Sequence, residues 1–301
     1  MSSVSKPRVR HNRHKQGLNL TLEKLSADFR KKKLLSALVA IVVIGLYYYF
    51  DLPVAGNDGD SAENVARVET AEVDGIEIPK TPQGVSERIL KKTNYTVSFN
   101  KKYNVPNWVA WSITAEELVE RESRTNEFEP DPELPASSAV TTEDYIGSGY
   151  DRGHMCPAAD NRYHWRAMDE CFYMTNMCPQ NHNLNTGVWN DLEQQCRRWV
   201  DEDNVVYVVC GPVFYANASP KYIGRRHKVR VPDAFFKVVL RNYEQGRPKA
   251  SGYIFENKSG TASLRNYACS IDEVEEVTGI DFFQLLPDGA ENKIESMVDM
   301  R

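Results

Sequence analysis

Residues 151–160 read DRGHMCPAAD, and residues 175–197 read TNMCPQNHNLNTGVWNDLEQQCR. In the first stretch Arg152 and His154 stand two positions apart, so on a strand both side chains would point to one face. A guanidinium that binds phosphate and an imidazole that titrates near neutrality would then face the same space. The first stretch therefore predicts a strand that presents an anion-binding group and a base together.

The second stretch has the spacing of a helix over residues 186–200, with Asn185 at its start and Glu193 about two turns further on. Arg197 lies one turn after Glu193. Amide and carboxylate oxygens suit a hard cation such as Mg²⁺ better than zinc. Each residue also has an ordinary interpretation: His154 as a hydrogen-bonded histidine, Asn185 as a helix N-cap, and Glu193 with Arg197 as an exposed i,i+4 pair.

Taken together, DRGH, TNMCPQ and LNTGVWNDLE resemble the active-site motif of the DNA/RNA non-specific endonuclease family, which has the ββα-metal fold. The resemblance is strong over residues 151–197 and continues weakly through CGPVF at 210–214, VPDAFFKVV at 231–239 and TGIDFF at 278–283. It implies an α+β fold with a central, mainly antiparallel sheet. It also implies a Mg²⁺-dependent endonuclease that cuts DNA and RNA regardless of sequence or sugar and leaves 5′-phosphate ends.

The resemblance assigns a role to each residue of the motif. His154 is the general base that takes a proton from water. Asn185 ligates a single hydrated Mg²⁺, for which Mn²⁺ is the expected substitute, and Glu193 orients the waters of the metal. The other expected catalytic residues support the site or contact phosphate: Asn176, Arg152 and, as a helper, Arg197. Before residue 150, Arg121 and Arg124 are candidates only.

The densest basic run of the predicted domain is KYIGRRHKVR at 221–230. It predicts a groove in which Arg225, Arg226 and Lys228 follow the phosphates of a nucleic acid, although an ordinary solvated loop would have the same composition. Contacts to phosphate carry no sequence information, which fits a nuclease that cuts many sequences.

The composition excludes some classes of protein. The chain has 301 residues, of which 41% are hydrophobic and 26% charged, so it is neither wholly disordered nor fibrous. Its formal net charge is −5, although residues 1–33 carry ten Lys or Arg against Glu23 and Asp28. Because the remainder is acidic, it can bind nucleic acid only through a local basic patch or a metal ion.

Residues 34–50 (LLSALVAIVVIGLYYYF) contain no charge and predict a transmembrane anchor. The alternatives are a buried core helix and a cleaved signal peptide. With Lys31, Lys32 and Lys33 before it, the anchor would leave residues 1–33 in the cytoplasm and the rest outside it, on the periplasmic or extracellular side. The basic start also allows a mitochondrial address, where a eukaryotic relative of the family resides. Residues 51–81 predict an acidic linker, and residues 82–301 predict the endonuclease domain.

Within that domain, residues 95–99, 108–114, 205–214 and 234–240 predict strands, and residues 271–277 predict a helix that stops at Gly279. The six cysteines favour disulfides over zinc because their spacings do not suit a zinc site. Buried free thiols that act as small apolar groups are the alternative.

Two other functions remain open at this point. One is a nuclease-like module that binds nucleic acid with little or no catalysis. The other is a phosphodiesterase that acts on small nucleotides.

Overall fold

The structure is a computed structural model, and it describes residues 74–260 and 262–299. In these ranges the strands are β1 (Arg88–Lys91), β2 (Thr96–Asn100), β3 (Val105–Thr114), β4 (Asp151–His154), β5 (Met177–Gln180), β6 (Val205–Val213), β7 (Lys221–Ile223), β8 (Val229–Val231), β9 (Ala234–Arg241), β10 (Lys249–Glu256) and β11 (Ala268–Cys269). The α-helices are α1 (Trp165–Cys171), α2 (His182–Thr186), α3 (Val188–Asp203), α4 (Ile271–Thr278) and α5 (Asp288–Glu295). Short 3-10 turns cover Thr142–Asp144, Ala158–Asn161, Met174–Asn176 and Leu264–Asn266.

A central sheet of seven strands forms within the described ranges, in the order β1-β2-β3-β6-β9-β10-β11. Each of its strand pairs is antiparallel. Strands β4 and β5 form a separate antiparallel pair, and so do β7 and β8. This is the mainly antiparallel α+β architecture that the family resemblance implied.

The central strands are apolar on both faces because the sheet is covered on both sides. In β3, Val109 and Trp111 belong to one core cluster, whereas Trp108 and Ala110 belong to the other. Strand β9 is buried along its whole length. Strands β2, β3, β6 and β9 overlap the four segments that the sequence predicted as strands.

The helices divide between the two cores. Helix α3 contributes Leu192, Cys196 and Trp199 to the first cluster. Helix α4 contributes Val274 to the second and ends at Gly279 in the left-handed conformation, as predicted. The helix predicted over residues 186–200 is interrupted at its start, because Gly187 separates α2 from α3. Asn185 therefore lies within α2, whose N-cap is Asn181.

The disulfide prediction is wrong. All six cysteines are free thiols, and five of them are buried. Cys156, Cys171, Cys178, Cys196 and Cys210 belong to the first core cluster, where the sulfur packs as a small apolar group. The alternative interpretation of the cysteines is the correct one.

The folded region begins before residue 82. Ile76 is buried in the second core, and residues 80 and 281 exchange backbone hydrogen bonds of 2.8 and 3.1 Å. Residues 76–80 therefore belong to the domain and not to the predicted linker 51–81. Segment 1–33 and the predicted anchor 34–50 lie outside the described residues. Within the described ranges, no helix combines the length and apolar character needed to cross a bilayer.

Candidate active site

Strand β4 carries the DRGH motif, and its pairing with β5 fixes the backbone of the candidate site. The register sets Arg152 opposite Pro179 and His154 opposite Met177. Gly153 permits this close approach, because a Cβ atom there would lie 2.1 Å from Oε1 of Gln180. Helices α2 and α3 follow β5 in the chain, so two strands and a helical segment frame the site.

A cleft of about 550 Å³ opens beside this hairpin. Arg152 and His154 both line it, as their spacing on one strand predicted. Asn185 from α2 and Glu193 from α3 line the same cleft, and so does Arg124 from the segment between β3 and β4. One cavity therefore brings together a base, two oxygen-bearing side chains and two cations.

His154 is a buried and uncharged base. The residue is 9% exposed, and its ring packs edge-on against Phe172 with the ring centroids 4.9 Å apart. Burial, followed by the positive charges of Arg124 and Arg152, lowers the pKa of His154 to about 3. Its Nε2 atom is buried and has no hydrogen-bond partner among the described residues. The imidazole is therefore neutral at pH 7 and keeps a lone pair on one of its ring nitrogens.

The side chain of Asn185 is held in place by Asp151. Its Nδ2 donates to Oδ2 of Asp151 at 2.9 Å, and Nδ1 of His182 lies 2.9 Å from the same oxygen. Because the amide nitrogen is bound to the carboxylate, the amide oxygen points away from it. That oxygen makes no hydrogen bond within the described part of the chain, and an amide oxygen is a ligand that Mg²⁺ accepts.

Glu193 supplies a carboxylate next to a buried cation. Burial raises the pKa of Glu193 to about 7, although the charge of Lys237 opposes the shift. Nζ of Lys237 lies 3.9 Å from Oε1 of Glu193 and 4.1 Å from the ring centroid of Trp189. A carboxyl group with this pKa is only partly ionised near neutrality, so a divalent cation beside it would favour the charged form. The donor set of Asn185 and Glu193 therefore fits a hard divalent cation.

The sequence model of the DNA/RNA non-specific endonuclease family matches residues 72–289 of this chain. The chain belongs to this family. It is 30% identical over 280 residues to the human protein named Nuclease EXOG, mitochondrial, a match that covers 84% of this chain and 73% of that protein. The mouse protein of the same name is 34% identical over 208 residues, which are 64% of this chain and 56% of the mouse protein. A Nuclease from Nostoc is 35% identical over 223 residues, covering 70% of this chain and 78% of that protein.

A solved structure supports the same assignment. A chain in the crystal structure of the EndoG/EndoGI complex, which concerns the mechanism of EndoG inhibition, matches this fold with a TM-score of 0.63. The two chains are 27% identical, and the match covers 67% of this chain and 87% of that chain. The family resemblance is thus confirmed, and with it the prediction of an enzyme that hydrolyses nucleic acids.

In this family member Asn176 lies behind the cleft and does not line it. The residue is fully buried, and its Nδ2 donates to the carbonyl oxygens of Cys156 and Cys171, each at 2.8 Å. Its Oδ1 accepts from the backbone nitrogen of Cys156 at 2.9 Å. Asn176 therefore fixes the backbone two residues after His154.

Arg197 is not among the residues that line the cleft. Its Nη1 donates to Oδ1 of Asp160 at 2.7 Å, and the Asp160 side chain is 2% exposed. Burial raises the pKa of Asp160, whereas Arg197 and the hydrogen bond from Trp111 lower it. The ordinary interpretation, in which Glu193 and Arg197 form an exposed i,i+4 pair, is also wrong. Arg197 pairs with Asp160 instead.

The predicted basic groove corresponds to the loop between β7 and β8. Arg225, Arg226 and Lys228 are exposed there and do not line the cleft. Asp144 anchors the loop: its Oδ1 accepts from the backbone nitrogens of Arg226 at 3.2 Å and His227 at 3.0 Å. Asp144 is the last residue of the turn Thr142–Asp144. Thr142 and Tyr145, on either side of Asp144, line the cleft. The basic loop is therefore attached beside the cleft.

The two ends of this basic loop differ from its tip. Gly224 has a φ of +92°, and a Cβ there would lie 1.9 Å from the carbonyl oxygen of His227, so the turn requires glycine. Arg230 is 8% exposed, and its guanidinium lies 4.6 and 4.4 Å from the ring centroids of Tyr103 and Phe214. Arg230 thus packs in the domain, and only the tip of the run is available to a ligand.

Sequence reasoning missed three residues that contact the predicted site residues: Asp151, Lys237 and Asp160. Asp151 is the first residue of DRGH, so its position within the motif was the available signal. Lys237 is the single charge within the apolar run AFFKVVL, which is the pattern of a buried ionic group. Asp160 has no such signal. Of the two arginine candidates before residue 150, Arg124 lines the cleft. Arg121 is exposed and does not line it.

Proposed function

We propose that this chain is a Mg²⁺-dependent endonuclease that hydrolyses phosphodiester bonds of DNA and RNA without regard to sequence or sugar. His154 acts as the general base, Asn185 and Glu193 hold a single hydrated metal ion, and the products carry 5′-phosphate ends. The observation that carries the proposal is the shared cleft, which His154, Asn185, Glu193 and Arg152 line together.

The chain's own residues account for the proton and for the charge of the substrate. His154 is neutral at pH 7 and takes the proton of the attacking water, a contribution that is typically worth 10²–10⁴-fold in rate. Arg152 and Arg124 face the same cleft and reduce the repulsion between an anionic diester and an incoming hydroxide. Arg152 is held by its contact with Phe128, whose ring centroid lies 4.2 Å from the guanidinium carbon.

Two side chains would hold the metal. Asp151 directs the amide oxygen of Asn185 away from the hydrogen-bonded nitrogen, and Lys237 favours the ionised form of Glu193. When bound, a divalent cation would supply charge neutralisation for the phosphate and for the departing 3′ oxygen. Mn²⁺ has a similar preference for oxygen ligands and is the expected substitute.

The exposed loop with Arg225, Arg226 and Lys228 is the proposed second contact with the substrate. Because guanidinium and ammonium groups bind phosphate and do not read base edges, this loop would add affinity without sequence preference. Its anchoring through Asp144 supports a path for the nucleic acid that continues from the cleft to the loop.

A nicking assay tests the proposal. The full chain is incubated with supercoiled plasmid or with unstructured RNA in Mg²⁺, and parallel samples contain EDTA. We expect cleavage of both substrates, loss of cleavage in EDTA, and ends that a ligase can join without prior phosphorylation. Asn185→Ala should lose activity at low Mg²⁺, whereas Asn183→Ala, an exposed neighbour on the same helix, should retain it.

The same assay distinguishes the other functions. Retardation of DNA without cutting would indicate a binding module, and activity confined to small diesters would indicate a nucleotide phosphodiesterase. Cutting that is insensitive to EDTA would refute the metal-dependent mechanism.

The cellular location is a separate proposal. The uncharged run 34–50 supports a membrane anchor with the catalytic domain outside the cytoplasm. The relatives from mouse, human, Schizosaccharomyces pombe and Saccharomyces cerevisiae are named as mitochondrial nucleases, which supports the mitochondrial alternative. Protease protection in intact cells and in isolated organelles, followed by carbonate extraction, distinguishes these two locations.

A further inference from the structure

Three carboxylates meet where helices α4 and α5 come together. Asp272 and Glu275 lie on α4, and Glu295 is the last residue of α5. One carboxylate oxygen from each residue lies within 4.8 Å of those from the other two. None of the three residues lines the cleft that contains His154.

Glu295 is the unusual member of this cluster. The residue is 7% exposed, and its carboxylate has neither a hydrogen bond nor an ion pair with any described residue. A buried carboxylate normally has a partner, because an uncompensated buried charge costs several kcal/mol. The side chain of Glu295 is nevertheless directed at two further carboxylates, which is the opposite of a compensating environment.

The neighbouring acidic side chains add negative charge around Glu295. Burial, followed by Glu275, Glu291, Asp272 and Asp281, raises the pKa of Glu295 to about 8. Lys80 pairs with Asp281 and not with the three carboxylates. Its Nζ lies 3.5 Å from Oδ2 of Asp281, and both side chains are exposed. A divalent cation bound here would favour the ionised form of Glu295 and neutralise the charge of its neighbours.

We propose that Asp272, Glu275 and Glu295 bind a hard divalent cation, with Ca²⁺ preferred over Mg²⁺. Three carboxylates provide the oxygen ligands that such ions take, and the exposed side of Asp272 leaves room for water to complete the coordination. Ca²⁺ tolerates an irregular ligand set, whereas Mg²⁺ requires nearly ideal octahedral geometry. The ion would join α4 to α5 and stabilise the helical layer that covers the second core.

The test uses the full chain carrying Asn185→Ala, so that the proposed catalytic metal ligand is absent from every sample. Thermal unfolding is measured with 10 mM CaCl₂ and with NaCl at the same ionic strength, and CaCl₂ binding is measured by calorimetry. With a dissociation constant of about 10⁻⁴–10⁻³ M, as in weak calcium sites, Ca²⁺ should raise the Tm by about 3–10 °C. Mg²⁺ should produce a smaller shift.

Two further substitutions in the same background locate the ion. Glu295→Gln should abolish the Ca²⁺-induced shift, because an amide cannot supply the negative charge that a carboxylate brings to the ion. Glu276→Gln changes an exposed carboxylate on the same helix outside the cluster, and it should leave the Ca²⁺ response intact.

The proposal is overturned if the Asn185→Ala protein shows no Ca²⁺ response, or if Glu295→Gln responds as strongly as Glu276→Gln. If Glu295→Gln does not fold, Glu275→Gln decides by the same criterion, since glutamine keeps the oxygen that accepts from the backbone nitrogen of Phe282.

Discussion

Replacing Arg197 with alanine is expected to destabilise the fold rather than to remove a phosphate-binding group. The guanidinium is 20% exposed and lies 2.7 Å from a carboxylate of Asp160 that is 2% exposed. Removing one partner of a buried ion pair typically costs 3–5 kcal/mol. Here Arg197 is partly solvated, and Nε1 of Trp111 still donates to Asp160 at 3.0 Å. We therefore expect a loss of about 2–4 kcal/mol, or roughly 5–15 °C in Tm.

The assay combines thermal unfolding with plasmid cleavage at saturating substrate and saturating Mg²⁺. Arg198→Ala is the matched control, because Arg198 is exposed and its guanidinium donates hydrogen bonds to Gln195, the residue three positions before it on the same helix. That variant should stay within about 0.5 kcal/mol of the parent. Adding Asp160→Asn to Arg197→Ala removes the stranded charge and keeps an acceptor for Trp111, so it should recover about 1–2 kcal/mol.

The reasoning would be refuted by one pattern of results. If Arg197→Ala unfolded at the same temperature as Arg198→Ala while its kcat fell by more than about tenfold, Arg197 would act on the substrate. The ion pair with Asp160 would then contribute little to folding.

Three further outcomes follow from the cleft and the basic loop. His154→Ala should reduce cleavage by about 10²–10⁴-fold with little change in Tm, and near-parental cleavage would remove this histidine from the chemistry. Asp151→Ala should raise the Mg²⁺ concentration for half-maximal activity by about 10–100-fold, because it frees the amide of Asn185 to rotate, and recovery at high Mg²⁺ distinguishes this effect from loss of the fold. Replacing Arg225 and Arg226 with alanine should make the dependence of log K on log salt shallower by roughly 1.5–2 for duplex DNA, measured by fluorescence anisotropy in EDTA; an unchanged slope would exclude the loop from binding.

The sequence predicted the parts of the molecule that depend on local pattern. Continuous apolar runs marked β6 and β9, since a strand covered on both faces has no polar side to interrupt it. The chemistry of Arg152 and His154 was also accessible, because two positions on one strand share a face. Asn185 and Glu193 lie on consecutive helices that directly follow the hairpin, so their approach to the cleft required no long-range contact.

The parts that depend on distant contacts were not accessible in this way. Asp160 and Arg197 are 37 positions apart, and Lys237 lies on a strand that follows Glu193 by 44 positions. Neither pair has a periodic pattern that would connect its members. The cysteines were misjudged for a related reason, because bonding between thiols requires a specific distance and orientation that sequence spacing does not report.

Gly153, the third residue of the DRGH motif, matters because it has no Cβ atom. Gly153 lets the main chain of β4 pass against the side chain of Gln180 at a distance too short for any other amino acid. The depth of the His154 ring in the cleft therefore depends on how closely the backbone of the preceding residue, Gly153, approaches Gln180. Alanine in the third position would require a wider hairpin or a displaced Gln180 side chain, and the His154 ring would then lie at a different depth in the cleft.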